Sequence, residues 1–233
     1  MRAASSLLLT LLVTLLSPPS LSGQNLTIDE GAFRLSLDGE IVGREEFSIR
    51  RAGAGENARV ILRGAVELDA PGGHRSLAPA LEARGSDLAV TAYQVKASGM
   101  EATEVYLTRS DRRFTAKIIT SQGEELREFR AGPGSVLLDQ QVAHQYYLLS
   151  PLLDREGAVS VSILSPRDGR QVRGTLTHVG DEETRVGTEL VTASHHRLEV
   201  GSETRHIWFD DQGRVLRVEI PARDYVAERE SVP

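Results

Sequence analysis

Short runs of alternating apolar and polar residues dominate the chain from Gly31 onward, each parted from the next by Gly, Asp or Asn. A period of two puts successive side chains on opposite faces of an extended strand, so these runs predict antiparallel strands with one buried face. Phe33, Leu35 and Leu37 share one such face, and Asp38-Gly39 offers the positive-φ pair of a tight hairpin before residues 41–49 return. Residues 51–57, rich in Gly and Ala, read as a loose loop before a strand over 60–68, and Pro71-Gly72-Gly73 turns the chain again. Residues 88–95, 103–108 and 114–120 continue the meander, with Ser121-Gln122-Gly123 as a loop. Strands resume over 159–164, 172–178, 184–191 and 197–200, and a last hairpin spans 205–220.

One segment breaks the rhythm. Residues 139–150 read DQQVAHQYYLLS, with Val142, Tyr146 and Leu149 at helical spacing. Asp139 is placed to cap the first turn and Pro151 to stop the last, which predicts a short helix covering or plugging the open side of a curved sheet. In the last hairpin, a three-residue loop Asp211-Gln212-Gly213 with Gly213 left-handed would set Trp208 opposite Leu216, His206 opposite Val218 and Arg205 opposite Glu219. Gln122-Gly123-Glu124-Glu125-Leu126-Arg127 is echoed by Gln212-Gly213-Arg214-Val215-Leu216-Arg217, which fits two related halves or the simple reuse of Gly-centred turns. The fold class expected is all-β: a strongly curved antiparallel sheet or open half-barrel with one short helix. It forms a single domain over 24–226, beginning with a solvated lead-in at 24–30 and ending in a flexible tail at 227–233.

Residues 1–23 change the setting. Met1 and Arg2 are followed by an apolar run over 7–16, a Ser-Pro-Pro-Ser break, and small residues at Ser22 and Gly23. That is the pattern of a secretory signal peptide, and the run is shorter than the about 20 residues a membrane-spanning helix needs. No Cys occurs anywhere, so the exported chain must be held by packing, which suits a Gram-negative periplasm. The expected location is therefore periplasmic or secreted, with no transmembrane segment in the mature chain. Lys occurs only at Lys96 and Lys117, and the formal charge of −6 argues against nucleic acid as a partner.

Motifs for catalysis are sparse. There is no thiol and no G-x-S-x-G; Gly132-Pro133-Gly134-Ser135 lacks the strand–elbow–helix setting of a nucleophilic serine. His195 and His196 are neighbours and on a strand point to opposite faces, so they cannot chelate together. His206 could join one of them only if its strand lies alongside, and three or four converging ligands would be needed, so no metal site is expected. Asp210-Asp211 fits a turn and lacks the ligand spacing of a calcium loop. Glu45-Glu46, Glu124-Glu125 and Glu182-Glu183 read as solvated pairs, and Ala52-Gly53-Ala54-Gly55 lacks the Lys and helix of a phosphate loop. No catalytic residue, metal or cofactor is predicted. Binding leaves a subtler trace: Tyr93, Tyr106, Tyr146 and Trp208 are the candidate ligand-binding residues, because rings with a polar handle line ligand cavities as well as cores.

The Tyr-rich His144-Gln145-Tyr146-Tyr147-Leu148-Leu149, the Arg205-His206-Ile207-Trp208-Phe209-Asp210 strand and the returning Val215-Leu216-Arg217-Val218-Glu219-Ile220-Pro221 together resemble uncharacterised exported bacterial β-rich domain families. The general layout is also similar to the periplasmic lipoprotein-carrier superfamily, an incomplete antiparallel barrel with a helical lid. That resemblance implies a fold and maps no functional residues. The leading functional expectation is a non-enzymatic module binding an apolar small molecule, a lipid or another envelope component between sheet and helix. The alternative is a structural or interaction protein with a filled core, pairing with an envelope protein partner through a sheet edge. A hydrolase using carboxylates as acid and base is third.

Overall fold

The computed structural model describes residues 25–70, 72–99 and 102–233; the expected signal peptide and Gln24 lie outside the described residues. The alternating runs form fifteen strands of one sheet: β1 (Asn25–Leu37), β2 (Glu40–Ala52), β3 (Arg59–Ala70), β4 (Gly73–Arg84), β5 (Ala89–Gly99), β6 (Thr103–Ser110), β7 (Arg113–Thr120), β8 (Gly123–Arg130), β9 (Ser135–Leu137), β10 (Ala158–Ser165), β11 (Arg170–Val186), β12 (Glu189–Val200), β13 (Glu203–Phe209), β14 (Val215–Ile220) and β15 (Tyr225–Arg229). The chain starts mid-sheet at β1 and steps by hairpins to one edge at β8. It then crosses to the opposite edge at β9 and β10, and steps back until β15 pairs with β1. Neighbours are antiparallel except β9 and β10, which run parallel. The expected all-β, strongly curved, unclosed sheet is what forms.

The two edges overlap instead of meeting. β9 lies against β5 from inside the curve. At the other edge, the inward-facing Arg127 of β8 donates from Nη1 to the carbonyl of Gly169 at 2.9 Å, in the turn between β10 and β11. Val172 of β11 packs on the core, so its neighbour Gln171 points outward. There Gln171 accepts from the Arg130 amide at 3.0 Å and donates to the Arg130 carbonyl at 2.7 Å. β8 thus laps the outer surface of the β10–β11 hairpin.

Both ends of the domain are ordered parts of the sheet. The expected lead-in belongs to β1, and residues 227–229 of the expected tail belong to β15, where Ala227 pairs with Leu35 and Arg229 with Phe33. The tail looked loose because Glu228, Arg229 and Glu230 give it a polar composition. Arg229, however, is 1% exposed and neutralised by Asp29.

Two local expectations are corrected. In the last hairpin Gly213 is left-handed as its turn requires, with φ 72°, but His206 pairs with Glu219, Ile207 with Val218 and Trp208 with Arg217. The three-residue loop itself forms as expected: the Asp210 amide donates to the Arg214 carbonyl at 3.0 Å, Phe209 pairs with Val215, and the Asp210 carboxylate accepts from the amides of Gln212 at 3.0 Å and Arg214 at 2.8 Å. An irregularity between Trp208 and Phe209 then absorbs one residue, which shifts every later pair by one.

The expected helix over 139–150 is a 3-10 helix over His144–Leu152, with Pro151 inside it. Asp139 does not cap it. The first amides instead go to a carboxylate on β2, and seven of the nine residues are buried, so the segment has no wet face for a helical period to mark.

Candidate functional site

The 3-10 segment is a plug inside the curved sheet, and buried polar groups hold it there. Glu45 on β2 faces inward with no exposure. It accepts from the Ala143 amide at 2.7 Å and the His144 amide at 3.3 Å, and also pairs with His144 Nδ1. The His144 ring stacks on Phe47 at a centroid distance of 5.9 Å and rests on Gly64 of β3, where a β-carbon would lie 2.7 Å from Cε1. Glycine is therefore a packing requirement at position 64.

Two further clamps fix the plug's entrance and flank. Tyr93 on β5 donates to Asp139 Oδ2 at 2.6 Å, and Arg167 Nε reaches the same oxygen at 3.1 Å. Burial raises the Asp139 carboxyl above its ordinary range, with Arg167 and Tyr93 opposing. Gln145 Oε1 accepts from the Asp139 amide at 2.7 Å. On the flank, Arg205 Nη1 donates to the Tyr146 hydroxyl at 3.0 Å, while its Nε pairs with Glu203 at 2.7 Å. Burial alone would raise the Glu203 carboxyl, but Arg205 and Arg223 outweigh it and hold the group below its usual range.

Where the plug ends, Tyr147, Ser150 and Leu153 form one wall of an open cleft of about 650 Å³ at the mouth of the barrel. Its other walls come from Arg51, from the β11 bulge with His178 and Asp181, from Ser194, and from the loop 210–213. Asp154, Glu156, Asp181, Asp210 and Asp211 outnumber Arg51 and Arg155, so the cleft is acidic. Its size suits a small ligand or a short partner segment.

Ser194 lines the cleft, and its Oγ lies 3.1 Å from Nε2 of the buried His196 behind it. A serine nucleophile needs a base oriented by a third group. The buried His196 Nδ1 has no partner among the described residues, and burial, followed by the neighbouring rings of His178 and His195, lowers the imidazole to about 4. At neutral pH this pair holds a weak base without an orienting carboxylate. Among the described residues no cluster of three or more His, Cys, Asp or Glu could hold a metal ion, and no helix is long and apolar enough to cross a membrane.

The four aromatic candidates do not converge. Tyr93 and Tyr146 point inward and hold the plug's surroundings together. Tyr106 is 46% exposed on the outer face of β6, where its hydroxyl donates to Glu104 at 3.0 Å. Trp208 lies on the outer face of β13 with Val186, Ala193 and Leu216, stacked on His195 at 4.6 Å and donating to Glu182 at 2.5 Å. Sequence reasoning missed Glu45, His144, Asp139 and Arg205. Glu45-Glu46 reads as a solvated pair, yet strand parity makes one of two adjacent carboxylates face inward, and that was the available signal.

No protein-family model matches the chain, and no curated protein matches it. Two solved structures are similar. One is a β-barrel-like protein of domain of unknown function DUF1849 from Brucella abortus, at TM-score 0.51 and 9% identity, covering 85% of this chain and 93% of that one. The other is a DUF1089 family protein from Pseudomonas aeruginosa, at TM-score 0.45 and 14% identity, covering 77% and 90%. The first likeness is one of fold alone, and it agrees with a β-rich architecture of unknown function.

Proposed function

We propose that this protein is an exported, non-enzymatic module of the bacterial envelope that engages its ligand or partner at the acidic mouth cleft, with a filled interior as scaffold. The observation that carries this reading is the fully buried Glu45 carboxylate accepting two plug amides, which commits the space between sheet and helical segment to the protein's own side chains. The barrel-with-lid layout that suggested a carrier is thereby read as a support for surface recognition. An apolar ligand inside would require Tyr146, Leu148 and Leu149 to leave, exposing their apolar surface and orphaning Glu45.

The test has two arms. Nile red, a neutral apolar dye, should show no saturable binding to the folded protein; one tight equivalent would overturn the filled-interior reading. A photo-crosslinking residue at Gln212 in the cleft should yield a discrete adduct in intact cells, and one at the exposed Ile41, outside it, should not. Equal adducts, or none from Gln212, would remove the cleft as the binding site.

A further inference from the structure

The overlap of the two sheet edges leaves a groove on the side of the molecule, apart from the mouth. Two adjoining hollows make it, of about 1240 and 490 Å³, and they share Arg130, Gly132, Pro133 and Gln171. Its floor is partly apolar, with Phe129, Pro133 and Val172. Its rim carries Arg109, Arg112, Arg113, Arg130 and Arg173 against only Asp111 and Glu128, and Glu128 is already paired with Arg113 at 2.8 Å. Arg112, Arg130 and Arg173 are exposed and have no carboxylate partner among the described residues. A chain of net charge −6 thus gathers a cationic rim where its sheet laps over itself, while the mouth cleft is acidic.

We propose that this groove docks the protein on an anionic lipid surface, with phosphate headgroups on the arginine rim and the apolar floor facing the interfacial region. Guanidinium groups match phosphate oxygens in two-point geometry, and clustered cations bind anionic leaflets additively. Ser135, Ser160 and Ser162 along the same groove add hydroxyl donors for headgroup oxygens. Docking through the groove leaves the mouth cleft free, so the two surfaces can work together, and this inference stands independently of what the cleft binds.

The experiment is vesicle flotation of the leaderless protein with phosphatidylcholine alone and with phosphatidylcholine containing phosphatidylglycerol. Binding should require phosphatidylglycerol and weaken with salt. In the combined variant R112A/R130A/R173A, affinity should fall on the order of a hundredfold, from about fivefold per arginine. All three side chains are exposed, so thermal unfolding should stay unchanged. R50A/R59A/R63A, which removes three exposed arginines from β2 and β3, outside both the groove and the mouth cleft, is the charge-matched control and should float nearly as well as the parent. Equal loss in both variants would overturn the groove as the site, leaving only diffuse charge attraction. Failure to float would overturn membrane docking. Flotation that sodium polyphosphate blocks at concentrations far below the lipid's would overturn the lipid in favour of a soluble phosphate polymer.

Discussion

Arg229 in the last strand meets Asp29 in the first across 200 positions of sequence, with Nη1–Oδ2 at 2.9 Å and Nη2–Oδ1 at 2.6 Å. The guanidinium also donates to the Glu30 carbonyl at 2.8 Å and lies 5.2 Å from the centroid of Phe47. This pair fastens β15 to β1, the join between the outgoing and returning halves of the sheet, one strand away from the β2 that carries Glu45.

Arg229→Met should therefore cost about 3–5 kcal/mol, because it strands a buried carboxylate. Urea unfolding followed by circular dichroism measures this. A loss below about 1 kcal/mol would show that the chain ends are not joined as described.

Glu45→Ala should unseat the plug, since two amides and an imidazole lose their shared acceptor at a cost of about 1–3 kcal/mol for each buried group left unpaired. Gly64→Ala should do the same from the opposite side, by driving a β-carbon into the His144 ring. Both variants should keep the far-ultraviolet spectrum of a β protein and lose near-ultraviolet tyrosine signal from Tyr146 and Tyr147. An unchanged near-ultraviolet spectrum would count against the plug.

The strand pattern was legible because one face of most strands is buried and the other wet: Phe33, Leu35, Val60, Leu62, Val105 and Leu107 all face the core as their alternation requires. The Asp38-Gly39 hairpin followed from its backbone chemistry, and both residues have positive φ, 51° and 79°. What stayed hidden depends on contacts between distant segments. Arg229 looks like tail polarity until Asp29 is beside it, and residues 144–152 look amphipathic until both sides are enclosed. The one-residue slip at Trp208 arises at a bulge between Trp208 and Phe209, beyond a loop that closes in the expected register, and the turn residues do not announce it. The site suffered most: carboxylates that read as solvent-facing pairs include the buried Glu45 that holds the plug.

Tyr93→Phe and Tyr106→Phe should separate interior from surface. Removing the Tyr93 hydroxyl leaves Asp139 with one donor fewer in a buried setting and should cost about 1.5–3 kcal/mol, whereas the exposed Tyr106 change should stay within about 0.5 kcal/mol. Paired thermal melts decide this, and equal effects would contradict the placement of the two rings.

Acid should weaken the fold through His196. Folded, its imidazole stays neutral down to about 4, while in the unfolded chain it takes a proton near the ordinary histidine value of 6.5. The unfolded state then binds more protons between those values, so this contribution is present above pH 6.5 and is lost as pH falls toward 4. The loss amounts to about 2–3 kcal/mol. His196→Gln should flatten that part of the stability-against-pH curve; an identical slope in the variant would refute the assignment.

The central claim is that the 3-10 segment is a permanent filling of the barrel, and hydrogen exchange tests it most directly. The amides of Ala143 and His144, bonded to Glu45, and of Tyr146, bonded to the Ala143 carbonyl at 3.1 Å, should exchange only as slowly as the core strands, through global unfolding. Exchange of these amides within seconds, while β3 and β5 stay protected, would mean that the plug leaves the folded barrel and that the interior is a ligand chamber.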